Sequence, residues 1–471
     1  MAGPAVTATD ERLELDDIQG LVARGYGNLP YASYLLLTVT DRTAAARVLD
    51  AWARRTTPAS RSSPDPALNV GLTARGIAAL LPSRDGIPDG FSEQFRVGMV
   101  DEHRSRVLGD VGADDPGGWR WGGPRNPDVH LLLLVFAADA DRLARLVAEL
   151  CGEARAGLSV VTQLDAAPLS VQEPFGFHDG ISQPLVAGLP KAAGDGGDVV
   201  TAGEFVLGYR NEYGLRGERP LLAPSDDPES LLPRDVDGSG AADLGRNGTY
   251  LVFRQLAQDV DGFWAWVTAA TTVDGVPDPV RRDLLAAKLV GRWPSGAPLV
   301  MSPEHDDPGL ADANDFGYHR EDRHGFACPV GSHIRRANPR DSLDPRPGTE
   351  QSRRVNHRHR LVRRGRNYTG DGGGAAERGL YFQCLNANIA RQFEFVQHTW
   401  LEDPAFNGLY DSPDPLVGTR HQGAAFVEQA FPVRRRHLGL PQFVHVRGGA
   451  YFFLPGLAAL RYLASRAGAT T

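Results

Sequence analysis

One histidine in this 471-residue chain sits in a run suited to holding a metal. His333 lies in A-C-P-V-G-S-H-I-R-R-A-N-P-R-D, from Ala327 to Asp341. Gly331 and Ser332 precede it, and such small residues let a flat ligand approach the backbone. Arg335, Arg336 and Arg340 follow. An imidazole nitrogen suits iron or zinc, and guanidiniums grip carboxylates in a bidentate fork. An axial ligand beside carboxylate clamps is what a haem requires. The alternative reading is a histidine at a strand end in an Arg-rich surface loop.

A second run, E-P-F-G-F-H-D-G-I-S-Q-P (Glu173 to Pro184), presents Asp179 with a glycine after it and another three positions before. A carboxylate held there can move a proton, although Asp-Gly is also a common turn. In a third run, H-R-H-R-L-V-R-R-G-R-N-Y (357–368), strand alternation puts Leu361 and Arg363 on one face and Val362 and Arg364 on the other. An arginine aimed into a pocket needs a charge to meet it; a solvated basic edge is the alternative. His357 and His359 form a weak candidate metal pair with no adjacent carboxylate in sequence. In a fourth, G-L-Y-F-Q-C-L-N-A-N-I-A-R-Q-F-E-F-V-Q-H-T-W (379–400), a strand carries Leu380 and Phe382 on one face, and a helix carries Glu394 between Phe393 and Phe395. That carboxylate is a candidate acceptor for an imidazole N–H, or a surface partner of Arg391.

The elements that must position these residues follow from periodicity. Strands are expected at 31–40, 67–73, 129–137 and 158–164, with helices at 42–55, 74–81 and 140–154. That is the split β-α-β order of a ferredoxin-like unit. The order recurs with strands at 248–256, 360–367, 379–385 and 443–454, and helices at 260–271, 279–290, 388–401 and 456–465. A Gly-rich turn is expected at 370–374, and a bulge at Gly448-Gly449. The expected class is α+β: two ferredoxin-like halves, residues 1–184 and 248–471, joined by a Gly-, Pro- and Asp-rich connecting loop or insertion at 185–247.

Composition narrows the function class. The chain is 42% hydrophobic and 23% charged, with a net charge of −8. That balance gives no electrostatic case for a nucleic-acid partner. Three scattered cysteines, Cys151, Cys328 and Cys384, with no CxxC, point to a reducing compartment. Without an apolar run of membrane-spanning length or a leader-like start, the expectation is a cytoplasmic protein with no membrane partner.

Taken together and in this order, the four runs resemble the dye-decolourising haem peroxidases, in particular their larger bacterial branch with long insertions. The resemblance extends from D-D-I-Q-G-L-V (16–22) to G-G-A-Y-F-F-L-P (448–455), and G-F-H-D-G is its most specific part. It implies one haem b per chain. It makes His333 the axial iron ligand, Asp179 the acid–base group and Arg363 its cationic companion on the opposite face. Glu394 would then accept the other N–H of His333, Arg340 would lie near a propionate, and Leu380 and Phe382 would cover the haem. Except for Asp179, these residues all belong to the second half. The implied reaction is reduction of hydrogen peroxide, through a ferryl intermediate, by dyes, phenols or another small-molecule reductant. Trp264, Trp266, Trp293 and Tyr368 are candidates for carrying electrons from the surface. The resemblance assigns no manganese ligands; the acidic loop at Glu304 to Asp307 is the nearest guess. One rival function is a haem carrier or iron-releasing haem-binding protein, for which Asp179 and Arg363 have no use. The other is a non-haem hydrolase, which lacks any H-E-x-x-H or G-x-S-x-G run.

Overall fold

The computed structural model describes residues 11–81, 86–190, 198–370 and 377–468. The expected Gly-rich turn at 370–374 falls mostly outside them. The apolar runs form the strands β1 (Tyr31–Val39), β2 (Ala67–Leu72), β3 (Leu131–Ala137) and β4 (Leu158–Asp165). Their antiparallel order is β4-β1-β3-β2. β3 is buried along its whole length, which explains its unbroken L-L-L-L-V-F-A. The helices α1 (Arg42–Arg55) and α2 (Ala140–Ala154) start at Asp41 and Asp139, whose side chains accept the N–H groups of Ala44 and Arg142.

The second half repeats the order. β5 (Thr249–Gln258), β6 (Val362–Arg363), β7 (Arg366–Gly370), β8 (Glu377–Asn386) and β9 (Val444–Leu454) are arranged as β6-β8-β5-β9, with β7 also on β8. The register of β9 on β5 slips between Val446 and Gly448, at the expected bulge. β9 meets β2 through the pair Phe453–Leu72, so both ferredoxin-like halves share one sheet. One buried cluster spans them, from Leu35 and Trp52 to Cys384 and Tyr451. The 185–247 stretch is not a bare linker: Phe205, Val206 and Tyr209 are buried in a second shared cluster.

Outside the sheet lie α3 (Val260–Thr271), α4 (Pro279–Val290) and the short α5 (His333–Ala337). α4 opens on Asp278 and Pro279 and closes at Gly291 (φ 106°), a left-handed position suited to glycine. The helix expected at 388–401 differs in kind. It winds as a π-helix over Ala390–Glu394 and Val396–Glu402, and the Glu394 N–H reaches back five residues to Ile389 (2.9 Å). Its wider turn moves side chains away from the faces that a 3.6-residue count assigns. No helix among the described residues is long and apolar enough to cross a membrane.

Candidate active site

A mainly apolar cavity of about 290 Å³ lies against one face of the second half of the sheet. Four adjacent strands give side chains to its floor: Arg363 from β6, Leu380 and Phe382 from β8, Arg254 and Leu256 from β5, and Val444 and Val446 from β9. Three strand spacings make that floor about 14 Å broad, which suits a flat macrocycle.

His333 opens α5 and faces this cavity. The Ser332 hydroxyl fixes the approach by donating to the Lys288 carbonyl near the end of α4 (2.5 Å). The His333 Nδ1 lies 3.0 and 3.1 Å from the two carboxylate oxygens of Asp414. Asp414 is fully buried, and its Oδ1 also accepts the N–H groups of Leu416 and Val417 (2.9 and 3.0 Å). Burial alone would raise the Asp414 carboxyl; the facing imidazole, Arg336 and the Val417 N–H hold it below its ordinary value. A carboxylate on Nδ1 leaves Nε2 as the atom free to bind a metal.

The acceptor is therefore Asp414, and the expectation for Glu394 is corrected. Glu394 is turned elsewhere, accepting from Arg104 (2.8 Å) and the Tyr451 hydroxyl (2.9 Å), and it does not line the cavity. Only the resemblance assigns Glu394 that role. The signal for Asp414 in sequence is only S-P-D-P (412–415), which reads as a turn.

Asp179 and Arg363 sit on the cavity wall, with Arg363 Nη2 3.3 Å from Asp179 Oδ1. Gly176 and Gly180 have φ of 99° and 85°, so the flanking glycines meet a backbone requirement. Glu173, which the sequence reading passed over, braces the same loop. Its oxygens accept the N–H groups of Phe175 and Phe177 (both 3.0 Å) and the Gln258 amide (2.8 Å). The Gln183 side chain accepts the Arg363 N–H (2.9 Å), joining this loop to β6. Strand alternation holds: Leu361 and Arg363 face the cavity, whereas Arg364 is turned to the Leu21 and Val22 carbonyls.

Of the three arginines after His333, only Arg340 lines the cavity. Its backbone is left-handed (φ 54°), a cost that a non-glycine residue meets only in a tightly held loop. Its guanidinium donates to the Asn314 and Phe316 carbonyls and to the Asn314 side chain. Arg335 instead pairs with Asp322 (3.0 Å), and Arg336 points away into buried backbone. Arg335 and Arg336 are neighbours on α5 and so point in different directions, and Arg340 lies beyond its end. Arg292 and Arg360 join Arg340 on the wall. Burial, with Arg340 close by, pushes the Arg292 guanidinium down to about 10. Burial and the neighbouring Arg340 and Arg363 do the same to Arg360, against the pull of Asp198. This crowd of cations is short of anions, so a ligand's carboxylates would relieve it.

These donors fit a haem. The His333 Nε2 faces a mainly apolar cavity, and a cluster of under-compensated guanidiniums stands at one side. No group of three His, Cys, Asp or Glu able to hold a bare metal ion occurs among the described residues. In particular, His357 lies 3.8 Å from both Asp198 and Glu212, while His359 stacks on Phe395. The first half contributes more than the expected Asp179, since Leu108, Asp110 and Asp114 also line the cavity. Trp293 and Tyr368 are buried, and Trp264 and Trp266 are half-buried against the α3 core.

No family model matches the sequence. Individual proteins do. A dye-decolorizing peroxidase of Exidia glandulosa is 29% identical over 484 residues, covering 95% of this chain and 86% of its own. The multifunctional dye peroxidase of Amycolatopsis sp. is 29% identical over 498 residues, 98% of this chain and 97% of its own. A deferrochelatase of Yersinia pestis matches at 31% over only 174 residues, 36% of this chain and 27% of its own. Among solved structures, an ancestral D-type dye-decolorizing peroxidase superposes with a TM-score of 0.76 at 25% identity, covering 96% of this chain and 99% of that one.

Proposed function

From the premise that the chain belongs to the dye-decolourising peroxidase family, we propose that it reduces hydrogen peroxide with electrons from dyes, phenols or other small organic reductants. The observation that carries this reading is the Asp179–Arg363 pair on the wall of the cavity that His333 also faces. One haem b per chain would be held by His333 Nε2, with its propionates toward Arg340, Arg292 and Arg360. When bound, it supplies the redox chemistry that breaks the peroxide O–O bond.

The chain's own residues do the rest. The Asp179 carboxylate takes a proton from the incoming peroxide and returns it to the departing oxygen, which leaves as water. Arg363 stays protonated throughout and steadies negative charge as it develops there. Asp414 holds the His333 Nδ1 proton, which orients the ring and makes it a stronger electron donor. Leu380 and Phe382 keep the face they cover dry. The three cysteines are unpaired, which supports a cytoplasmic location.

Haem-loaded protein mixed with peroxide and a dye tests the proposal. Bleaching that needs peroxide, and that falls in Asp179→Asn, is the expected outcome. The short deferrochelatase match favours one rival, an iron-releasing role. Free porphyrin accumulating without bleaching would put that rival first.

A further inference from the structure

Arg336 is a buried cation that the proposed chemistry leaves unused. It follows His333 by one helical turn on α5 and is fully buried. It has no carboxylate partner within ion-pair distance among the described residues. Its guanidinium donates instead to four backbone carbonyls: Gly331 (3.2 Å), Trp400 (2.7 Å), Asp403 (3.0 Å) and Ser412. These belong to the approach to His333, the end of the π-helix, the turn after it, and the loop that carries Asp414. Arg420 grips the same loop through the Asp414 carbonyl. The two guanidiniums thus hold the backbone on either side of Pro413.

Other bonds at Asp414 do not connect it to α5. Its contacts with Leu416 and Val417 are internal to the loop, and its own N–H goes to Leu401. Among the described residues, α5 is hydrogen-bonded to this loop only through His333–Asp414 and Arg336–Ser412. A hydrogen bond weakens steeply once its distance or angle drifts. The His333–Asp414 contact therefore depends on a second, stiffer tie between the same two segments.

We propose that Arg336 is a positioning residue for the His333–Asp414 pair: it fixes the Asp414 loop against α5 and so sets how strongly the imidazole donates to iron. The inference rests on the haem reading given above. A tighter bond to the carboxylate gives the imidazole more anionic character, a stronger iron–nitrogen bond and a lower iron reduction potential.

The test compares Arg336→Gln and Arg336→Lys with Asp414→Asn, all haem-loaded. The readings are the Fe–His stretching frequency of the ferrous protein by resonance Raman, the Fe(III)/Fe(II) potential and the thermal midpoint. The expected result is a Gln variant whose frequency falls most of the way to that of Asp414→Asn, with a raised potential. The Lys variant, with charge but fewer donors, should lie between. A parental frequency with only a lowered midpoint would make Arg336 a purely structural residue and overturn the proposal. If the Gln variant does not fold, the Lys variant decides by the same criterion. His333→Ala keeps the two ideas apart: an unchanged Soret band there assigns the iron to another residue and sinks the His333 ligand reading on which this one rests, whereas parental Arg336 variants with His333 required sink only this one.

Discussion

Arg363 and Asp179 meet at 3.3 Å although one hangs from β6 and the other from the loop after β4, and their side chains remain 34% and 40% exposed. A pair that open to solvent adds little to stability, on the order of 0–1 kcal/mol. Its arrangement instead suits a ligand entering the cavity. Asp179→Asn and Arg363→Leu should each slow the reaction with peroxide by about tenfold or more. The thermal midpoint should barely move, and the Asn variant should keep its haem. Stopped-flow mixing with peroxide measures the rate; near-parental rates in both variants would remove the acid–base assignment.

His333→Ala should lose most of its haem, or show an altered ferric spectrum that added imidazole restores. The reason is the free Nε2 facing the cavity while Nδ1 is tied to Asp414. An unchanged Soret band would assign the iron to another residue.

Asp414→Asn and Glu394→Gln should separate cleanly. The first alters the acceptor of the His333 N–H and should shift the Fe–His stretch. The second leaves that stretch alone and weakens the buried Arg104–Glu394–Tyr451 group. Its expected cost is about 1–3 kcal/mol in urea unfolding. A shifted stretch in Glu394→Gln would restore the carboxylate that the structure has displaced.

That contrast also marks how far the sequence can be read. The strands follow from apolar runs, and the faces of Leu361, Arg363, Leu380 and Phe382 from period-two alternation, both local properties. His333 and Asp179 stand in runs dense with glycine or arginine. Asp414 has no such marking. It is one of 58 acidic residues, and its pairing with His333 spans 81 positions, so only the closed loop identifies it. The expectation for Glu394 comes from the resemblance, and nothing in its local run reveals that Arg104 and Tyr451 occupy its carboxylate instead. Arg335 and Arg336 look like ligand clamps in sequence because charge is visible there and burial is not.

Acid should loosen the support of His333. Glu428 binds Lys288 (2.8 Å), His437 (3.2 Å) and Arg435 (3.5 Å), and the Lys288 carbonyl receives Ser332. Burial pushes the Glu428 carboxyl up, but the bonds from His437 and Lys288 outweigh it and bring it down to about 2. A carboxyl depressed on folding stabilises above its unfolded value, near ~4.3, and loses that contribution as pH falls toward 2. Glu428→Gln should therefore be less stable by roughly 3 kcal/mol at pH 6. The gap should close between about pH 4 and pH 2. Unfolding curves across that range check it; a gap independent of pH would mean that packing, not charge, holds the contact.

The single sheet described above has a consequence for cutting the protein. Severed near residue 247, the first half would bare the wholly buried strand β2, and the second would bare β9. Each would then carry a raw, sticky edge open to strand addition from other chains. Although most of the side chains that line the cavity lie in the second half, that half is not a minimal module. Expressed alone, it is expected to aggregate before it binds anything, and the first half serves it as a permanent edge guard.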